Sequence, residues 1–391
     1  MPTWPYDPAV FHTDAGLRAV ITGIGCVRDH LAAELHAQGV ARPLLLCGAN
    51  VASSPAFAVV RAVAADNAAV FTANAPHSPS DAIDAAARLA REHGADGIVA
   101  VGGSSAIDSA KGVAVLLATG CHHVAALTPP GPGAIGHVVT RREPGVPVLT
   151  VTTTLSFAEF NPFWGTRRSD TGAKAGYTDY GRVVRTIFLD GAVAACTPEQ
   201  VWNETAIKSL DDAFFELCLR TAAEPFLDPL LIAGIRGVIE HLPDCAGTDA
   251  AEARQRVLLA MAATKLPLPR LSAARHRSWF ARGVRYALGS VFDRSHGVGA
   301  CIAIAEGLRF HLGESRSRQD LITRELAWGD DPVVLADRIA ALVRDLRLPT
   351  TFADAGIDGD DLARVVAYLG AMQPPIGPID AVRAACDRLR Q

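Results

Sequence analysis

The sequence has very little lysine and no segment of the kind that crosses a membrane. Only four of its basic residues are lysines, namely Lys111, Lys174, Lys208 and Lys265. No apolar run reaches the roughly 18 residues that a membrane-spanning helix needs. The N-terminus has no charged region followed by an apolar stretch, which is the pattern of a signal peptide. We therefore expect neither a membrane span nor a signal peptide.

Two further absences bear on compartment and partners. The eight cysteines form no CxxC pair, which favours reduced cytoplasmic thiols over a disulfide framework or a zinc cluster. The 37 basic residues are outnumbered by 41 acidic ones, for a net charge of −4. An excess of basic residues, which binding to nucleic acid or anionic membrane requires, is missing. The composition predicts a cytoplasmic protein with no nucleic-acid or membrane partner.

Apolar residues are abundant, at 49% of 391 residues against 20% charged, so a large core in about two or three domains is expected. Short apolar runs at 43–47, 97–101 and 148–153 alternate with a helical pattern at 80–93, which predicts a parallel sheet covered by helices. From about residue 197 the pattern is helical. The predicted helices there are 198–219, 225–242, 250–266, 300–312, 332–346 and 360–369.

This change in pattern divides the chain in two. We place the boundary between residues 193 and 194, so that 1–193 form an α/β Rossmann-like domain and 194–391 an all-helical domain. A turn-rich stretch at 128–133 is interpreted as a plain connecting loop.

The most informative segment is a glycine loop between an apolar strand and a helix. It reads Gly102-Gly103-Ser104-Ser105 and leads to Lys111. Glycines let backbone N–H groups approach a phosphate, and the helix N-terminus adds partial positive charge. The two serines can donate hydroxyl hydrogen bonds or cap the helix. The loop predicts a pyrophosphate site, and an ordinary strand-to-helix turn is the alternative.

The loop resembles the GGGSxxDxAK motif of the iron-containing alcohol dehydrogenase family, which has a dehydroquinate synthase-like fold. Ser104 replaces the third glycine. Residues 22–25, 147–159 and 288–297 resemble, in the same order, three other segments of that family. Within the family, the maleylacetate reductase branch is the most similar. The resemblance implies a Rossmann-like domain followed by an all-helical domain, a bound NAD or NADP, a small-molecule substrate and a homodimer.

The resemblance also assigns cofactor residues. His77 falls in a His-x-Pro turn typical of the maleylacetate reductases, although a solvated turn histidine is the alternative. Gly48 stands where the family often has an acid that holds the adenosine ribose, so NADP is admissible as well as NAD. The full set is Gly48, His77, Gly102, Gly103, Ser104, Ser105, Asp108, Thr153, Thr154, Ser156 and Lys174.

The family's metal ligands are largely replaced. The resemblance implies an Asp and a His four residues apart on one helix, followed by two further histidines. Here these positions carry Lys208, Asp212, Arg282 and His296, and Tyr286 stands where a further histidine is frequent. Ammonium and guanidinium groups repel a dication and have no lone pair to offer. We predict no family-type metal, and a shifted metal site that uses Asp211, Asp212 and His296 is the alternative.

The replacement is chemically coherent. Lys208 and Asp212 can pair at i,i+4, and Lys208 with Arg282 can polarise a carbonyl or bind a substrate carboxylate. Tyr286 or His296 can donate the proton that a reduced carbonyl needs. These five residues are the predicted catalytic set, and a purely structural salt-bridge cluster is the alternative. His276, between two arginines, is interpreted as part of a solvated basic loop and not as a ligand.

The leading functional hypothesis is an NAD(P)-dependent oxidoreductase for a small carbonyl or alcohol that works without the family metal. A non-redox lyase or synthase on the same fold and a non-catalytic, cofactor-binding paralogue are the alternatives.

Overall fold

A computed structural model describes residues 9–12, 16–127, 137–139, 145–179, 184–219, 227–247, 250–265 and 278–390. The connecting loop predicted at 128–133 and His276 lie outside these residues. Within the described chain, no helix is both long enough and apolar enough to cross a membrane.

The chain divides into two compact units. Met1–Thr197 with Ala246–Leu259 form the first, and Pro198–Cys245 with Ala260–Gln391 form the second. Residues 246–259 belong to the first unit although they follow a part of the second unit in the sequence. The two units are therefore not separated by one boundary in the chain. The boundary between residues 193 and 194 stays a prediction.

The strands all lie in the first unit. They are β1 Ala9–His12, β2 Ala19–Thr22, β3 Pro43–Gly48, β4 Ala69–Asn74, β5 Gly97–Gly102, β6 His137–Val138, β7 Val148–Thr152, β8 Phe163–Arg167, β9 Lys174–Thr178 and β10 Val184–Leu189.

Six of these strands form a parallel sheet, as the apolar runs predicted. The order across the sheet is β1-β2-β10-β7-β5-β3-β4, and only β1 runs antiparallel to its neighbour. The three predicted strands are β3, β5 and β7, which are adjacent in the sheet and almost wholly buried. β6, β9 and β8 form a separate three-stranded sheet.

The helices flank the sheet in the first unit and make up the second. They are α1 Cys26–Ala37, α2 Ala49–Ala52, α3 Pro55–Val63, α4 Ser80–His93, α5 Ser104–Thr119, α6 Gly191–Ala195, α7 Glu199–Cys218, α8 Leu227–His241, α9 Ala251–Lys265, α10 Phe280–Val291, α11 His296–Phe310, α12 Leu312–Glu325, α13 Val333–Asp345, α14 Gly359–Gly370 and α15 Ile379–Arg388.

The predicted fold class, an α/β domain with a parallel sheet followed by helices, is confirmed. One boundary is corrected: the helix predicted to begin at residue 300 begins at His296. Ser295 caps it by accepting a hydrogen bond of 3.1 Å from the backbone N–H of Val298, and a serine at this position stabilises a helix start. His296 therefore lies on the first turn of α11, a placement that the sequence analysis did not predict.

Candidate active site

The glycine loop joins β5 to α5, and the helix begins without a side-chain hydrogen bond that caps it. Gly102 has φ 145°, which favours glycine, and the extended Gly103 is the N-cap. Ser104 and Ser105 begin the helix without capping it. Backbone N–H groups in the first turn of a helix have no acceptor within that helix. This end of α5 can therefore donate hydrogen bonds to a bound phosphate.

Gly103 lies so close to Thr154 that a side chain at this position would force one of the two to move. A Cβ built there would lie 2.7 Å from Thr154 Oγ1. The segment after β7 is held against the loop, because the N–H of Thr153 donates to Gly102 O at 3.1 Å. Thr154 Oγ1 lies 3.3 Å from Ser156 Oγ. The structure thus places these three predicted cofactor residues beside the glycine loop.

The His77 turn also lies against the start of α5. The N–H of His77 donates to Ser105 Oγ at 3.1 Å, and Ser78 Oγ donates to Ser105 O at 3.0 Å. His77 and Ser78 both have left-handed backbone angles, with φ 63° and 50°. Such angles are costly for residues other than glycine. The turn is held in this conformation beside the loop, and Ser78 is a contact that the sequence analysis missed.

Gly48 lies at the carboxyl end of β3, next to the carboxyl end of β5. A Cβ at Gly48 would lie 3.0 Å from Asn74 O at the end of β4. Ligands of open α/β sheets bind outside the carboxyl ends of the strands. Gly48, the glycine loop and the segment after β7 therefore share the edge of the sheet where a dinucleotide is expected.

Asp108 and Lys111 lie on α5 and form hydrogen bonds with the backbone of residues 158–165. The buried Lys111 Nζ donates to the carbonyl oxygens of Ala158, Asn161 and Phe163 at 2.6 to 2.8 Å. Burial lowers its pKa, opposed by Asp108 and Glu159. Asp108 Oδ2 accepts from the N–H of Gly165 at 3.1 Å. These contacts tie α5 to the segment around β8.

Lys174 lies at the start of β9, opposite Arg167 on β8, and it is half-buried. The structure therefore places it on the separate three-stranded sheet of the first unit.

The start of α1 is occupied by a carboxylate of the chain itself. The N–H groups of Gly25 and Val27 donate to Asp190 Oδ1 and Oδ2 at 2.9 and 3.0 Å. Negative charge is favourable at a helix N-terminus, and here Asp190 supplies it. Residues 22–25, which resemble a family motif, thus belong to a turn that is closed by an internal cap.

In the second unit, the first two family ligand positions carry an ion pair. Lys208 and Asp212 lie four residues apart on α7, on one face of the helix. Lys208 Nζ is 2.8 Å from Asp212 Oδ2, as the spacing predicted. The exposed fraction of the side chain is 23% for Lys208 and 18% for Asp212. This pair is accessible to a small molecule.

Arg285, which the sequence analysis did not single out, links the two aspartates of α7 from α10. Its NH2 group donates to Asp212 Oδ1 at 2.8 Å, and its Nε lies 3.4 Å from Asp211 Oδ2. Asp211 is fully buried and accepts a hydrogen bond of 2.7 Å from Trp279 Nε1. Burial raises the pKa of Asp211, opposed by Arg285.

Lys265 at the end of α9 completes the cluster and was also missed. Its Nζ lies 3.9 Å from Asp212 Oδ2. Burial lowers the pKa of Lys265 to about 8, although Asp212 acts in the opposite direction. Burial would raise the pKa of Asp212, but Lys208, Arg285 and Lys265 hold it well below its usual range. Asp212 is thus a carboxylate shared by three cations. We call Lys208, Asp211, Asp212, Lys265 and Arg285 the α7 charge cluster.

Arg282 is held beside the cluster by two neutral groups. Its Nε donates to Tyr286 Oη at 2.8 Å, and its guanidinium carbon lies 4.7 Å from the centre of the Phe215 ring. Burial would raise the pKa of Tyr286, but Arg282 and Arg285 lower it. The His296 ring meets Tyr286 edge-on, with 5.7 Å between centroids. Arg282, Tyr286 and His296 are all half-buried, so a ligand can reach them.

These residues do not fit a divalent cation. Lys208 and Arg282 carry positive charge at two ligand positions, and both oxygens of Asp212 already face cations. The shifted site fails the same test, because the carboxylate of Asp211 is held by Trp279 and Arg285. In the described ranges, no three His, Cys, Asp or Glu side chains come together in a group that could hold a metal ion.

A stacked pair of rings lies next to the α7 charge cluster, and one of the two rings donates a hydrogen bond to Asp211. The Trp279 ring lies parallel to that of His311, with 4.5 Å between centroids. His311 Nε2 accepts from the N–H of Phe280 at 3.0 Å, and Nδ1 lies 2.5 Å from Glu314 Oε1. Because Nε2 is an acceptor, the neutral imidazole carries its proton on Nδ1. These contacts fix the indole N–H that holds Asp211.

Comparisons with known proteins show the family of this chain. A family model described as iron-containing alcohol dehydrogenase matches residues 18–191, and the C-terminal model of the same family matches residues 205–375. Maleylacetate reductase 1 of Cupriavidus pinatubonensis is 24% identical over 353 residues, which cover 88% of this chain and 86% of that protein.

Two solved structures show the same fold. The maleylacetate reductase of Agrobacterium tumefaciens superposes with a TM-score of 0.77 at 17% identity, covering 98% of both chains. The sulfoacetaldehyde reductase of Bifidobacterium kashiwanohense, solved in complex with NAD+, gives 0.81 at 18% identity, covering 97% of this chain and 98% of the other.

Proposed function

Because the chain belongs to the iron-containing alcohol dehydrogenase family, we propose that this oxidoreductase interconverts a small carbonyl compound and its alcohol with NAD(P), without a divalent metal ion. One observation carries the proposal. The same chain keeps the glycine loop of its family while cations occupy two of the positions of the metal ligands.

The cofactor side of the proposal depends on the first unit. The start of α5 offers uncapped N–H groups to a pyrophosphate, whereas Asp190 fills the start of α1. No acid stands at Gly48 to repel a 2′-phosphate, so both NAD and NADP are admissible. The relative solved with NAD+ supports a nicotinamide dinucleotide.

The substrate side depends on the second unit. A bound nicotinamide supplies or accepts the hydride. Lys208 places positive charge where negative charge develops on the carbonyl oxygen, which lowers the energy of the transition state. Tyr286 Oη accepts its hydrogen bond from Arg282, so its own hydrogen is available for that oxygen. The lowered pKa of Tyr286 makes it a better proton donor at neutral pH.

The test is a thermal-shift matrix of NAD, NADP and their reduced forms, each with a chelator or with Zn²⁺ or Fe²⁺. We expect one nucleotide pair to raise Tm by several degrees in the presence of chelator, because a ligand at 100 times its Kd adds about 2.7 kcal/mol. No shift with any nucleotide contradicts the redox proposal. A shift that needs metal contradicts metal independence.

A turnover screen with the stabilising nucleotide separates the remaining alternatives. Net oxidation or reduction of the nucleotide supports the oxidoreductase, whereas substrate conversion without net change supports a lyase or synthase. A non-catalytic paralogue would bind nucleotide and convert nothing. We also propose a cytoplasmic homodimer, which light scattering after size-exclusion chromatography tests for its oligomeric state.

A further inference from the structure

Arg285 on α10 contacts α7 through all three nitrogens of its guanidinium. Nη2 donates to Asp212 Oδ1 at 2.8 Å, and Nη1 donates to the backbone oxygen of Lys208 at 3.3 Å. Nε lies 3.4 Å from Asp211 Oδ2. Only 3% of the side chain is exposed. The guanidinium is therefore directed entirely at one turn of α7.

The packing of α11 fixes the backbone of Arg285. Helix α11 passes close to α10 at this residue, because a Cβ built at Gly299 on α11 would lie 2.8 Å from Arg285 Cα. Such close packing between helices leaves little space for rearrangement. The position of the guanidinium is thus set by two packed helices.

The contact with Asp211 has a structural role. Asp211 Oδ1 accepts from Trp279 Nε1 at 2.7 Å, whereas Oδ2 makes no hydrogen bond within the described residues. Arg285 Nε, which makes none there either, is the charged group that lies 3.4 Å from it. Removing one partner of a buried ion pair is strongly destabilising. Arg285 therefore neutralises a buried carboxylate.

The contact with Asp212 has a different consequence. Arg285 holds Oδ1 of this carboxylate and leaves Oδ2, which lies 2.8 Å from Lys208 Nζ and 3.9 Å from Lys265 Nζ. A carboxylate held at one oxygen does not turn to exchange its two oxygens. The ammonium of Lys208 stands on a flexible stem, and its contact with Oδ2 fixes it. Arg285 thus determines where the charge of Lys208 lies.

We infer that Arg285 is a positioning residue for the reaction: through the carboxylate of Asp212, it holds the ammonium of Lys208 where it meets the carbonyl oxygen of the substrate. The inference rests on the proposed function and deepens it. Arg285 is too deeply buried to touch the substrate itself. It organises the acids of α7, whereas the partly exposed Lys208 offers its charge to the reacting oxygen.

The experiment separates the neutralisation of Asp211 from the placement of Lys208. Arg285→Met leaves Asp211 buried without its partner and should lower Tm. The double variant Asp211→Asn/Arg285→Met removes both charges of that pair and should recover most of the lost Tm. Its kcat should nevertheless stay roughly 100-fold below that of Asp211→Asn, because a displacement of about 1 Å can cost that much. KM should change little, since the charge acts on the transition state.

Turnover is measured with butanal or 4-oxobutanoate, whichever wild type reduces faster, and with the reduced nucleotide that stabilises the protein. The matched control is another buried pair of the second unit, Arg318 on α12 with Asp228 on α8, at 2.7 Å. This pair lies outside the α7 charge cluster. Arg318→Met should also lower Tm, but it should leave kcat unchanged.

A double-mutant cycle tests whether Arg285 acts through Lys208. In the Asp211→Asn background, Lys208→Met removes the charge that Arg285 positions. Adding Arg285→Met should then cost no further activity, whereas the effects of independent residues would multiply. If the methionine variants of Arg285 do not fold, Arg285→Lys decides the matter. It keeps a charge beside Asp211 but cannot hold both aspartates, and it should lower kcat roughly tenfold.

A crystal structure of the double variant gives a readout that does not depend on turnover. Lys208 Nζ should be displaced by about 1 Å or more relative to the backbone of α7. An unmoved Lys208, a kcat equal to that of Asp211→Asn, or multiplying effects in the cycle would each overturn the inference. The failure of the proposed function looks different: no nucleotide raises Tm and neither carbonyl compound is reduced, while the displacement of Lys208 persists.

Discussion

The buried ammonium group of Lys111 donates hydrogen bonds to three backbone carbonyl oxygens. Because no other donor replaces the ammonium, removing it would leave those oxygens buried without hydrogen bonds. Lys111→Met should lower the free energy of unfolding by about 3 kcal/mol or more, since each buried unsatisfied group costs roughly 1–3 kcal/mol. Chemical denaturation measures the loss.

The exposed Arg88 on α4 provides the control for this prediction. Arg88→Met should change the free energy of unfolding by no more than about 0.5 kcal/mol. Equal effects of the two substitutions would mean that the three carbonyl contacts of Lys111 do not stabilise the loop.

Lys265 makes the stability of the second unit depend on pH. Its pKa is lowered to about 8 in the folded chain, so between about pH 8 and pH 10.5 the unfolded chain binds more protons, and stability from this group rises with pH. Relative to Lys265→Met, wild type should gain about 2 kcal/mol between pH 7.5 and pH 9.5. Urea unfolding at the two pH values measures the difference, and a gap that stays constant would contradict the burial of this ammonium.

At the scale of elements, the glycine loop between β5 and α5 depends on one close contact, that of Gly103 with Thr154. Gly103→Ala places a methyl group 2.7 Å from Thr154 Oγ1. The loop has to move, and nucleotide affinity should fall at least tenfold, while the rest of the unit stays folded. Titration calorimetry with the stabilising nucleotide gives the affinity.

A second substitution tests the cause. Thr154→Ala removes the opposing oxygen, so the double variant should recover most of the lost affinity. Gly313→Ala, at a helix position with nothing within 4 Å, should leave affinity unchanged. No recovery in the double variant would mean that the contact with Thr154 is not what requires glycine.

The sequence predicts the interior elements of the first unit better than its edges. The apolar runs of β3, β5 and β7 and the regular period of α4 are strong local signals. Strands β1 and β4 lie at the two ends of the sheet, and β4, which is half-exposed, lacks such a run. Helix α10 was not among the predicted helices. Arg282 and Tyr286 on it were singled out through the family resemblance, whereas Arg285 was not.

At the scale of the whole molecule, the sequence predicts the fold class but only part of the α7 charge cluster. The i,i+4 spacing on α7 is local, and it predicts the pair of Lys208 with Asp212. Arg285 and Lys265 reach the same carboxylate from helices far along the chain, and only tertiary packing decides such meetings. The scarcity of lysine was the signal that could have pointed to Lys265.

Chelators should change neither the thermal stability nor the activity of the protein. Dialysis against EDTA should change its Tm by less than about 1 °C and leave turnover unchanged, because three cations already surround Asp212. Elemental analysis of the purified protein should find well below one equivalent of zinc or iron. A stoichiometric metal whose removal abolishes activity would contradict the proposal.

The placement of the four lysines has a practical consequence. Lys111 is buried, and Lys174, Lys208 and Lys265 are each only partly accessible, so the folded protein presents no fully exposed lysine to an acylating reagent. Two of the three that can be reached face Asp212. Mild acylation would therefore modify few places, and mass spectrometry of the labelled chain, with and without the stabilising nucleotide, would show whether a ligand protects the cluster.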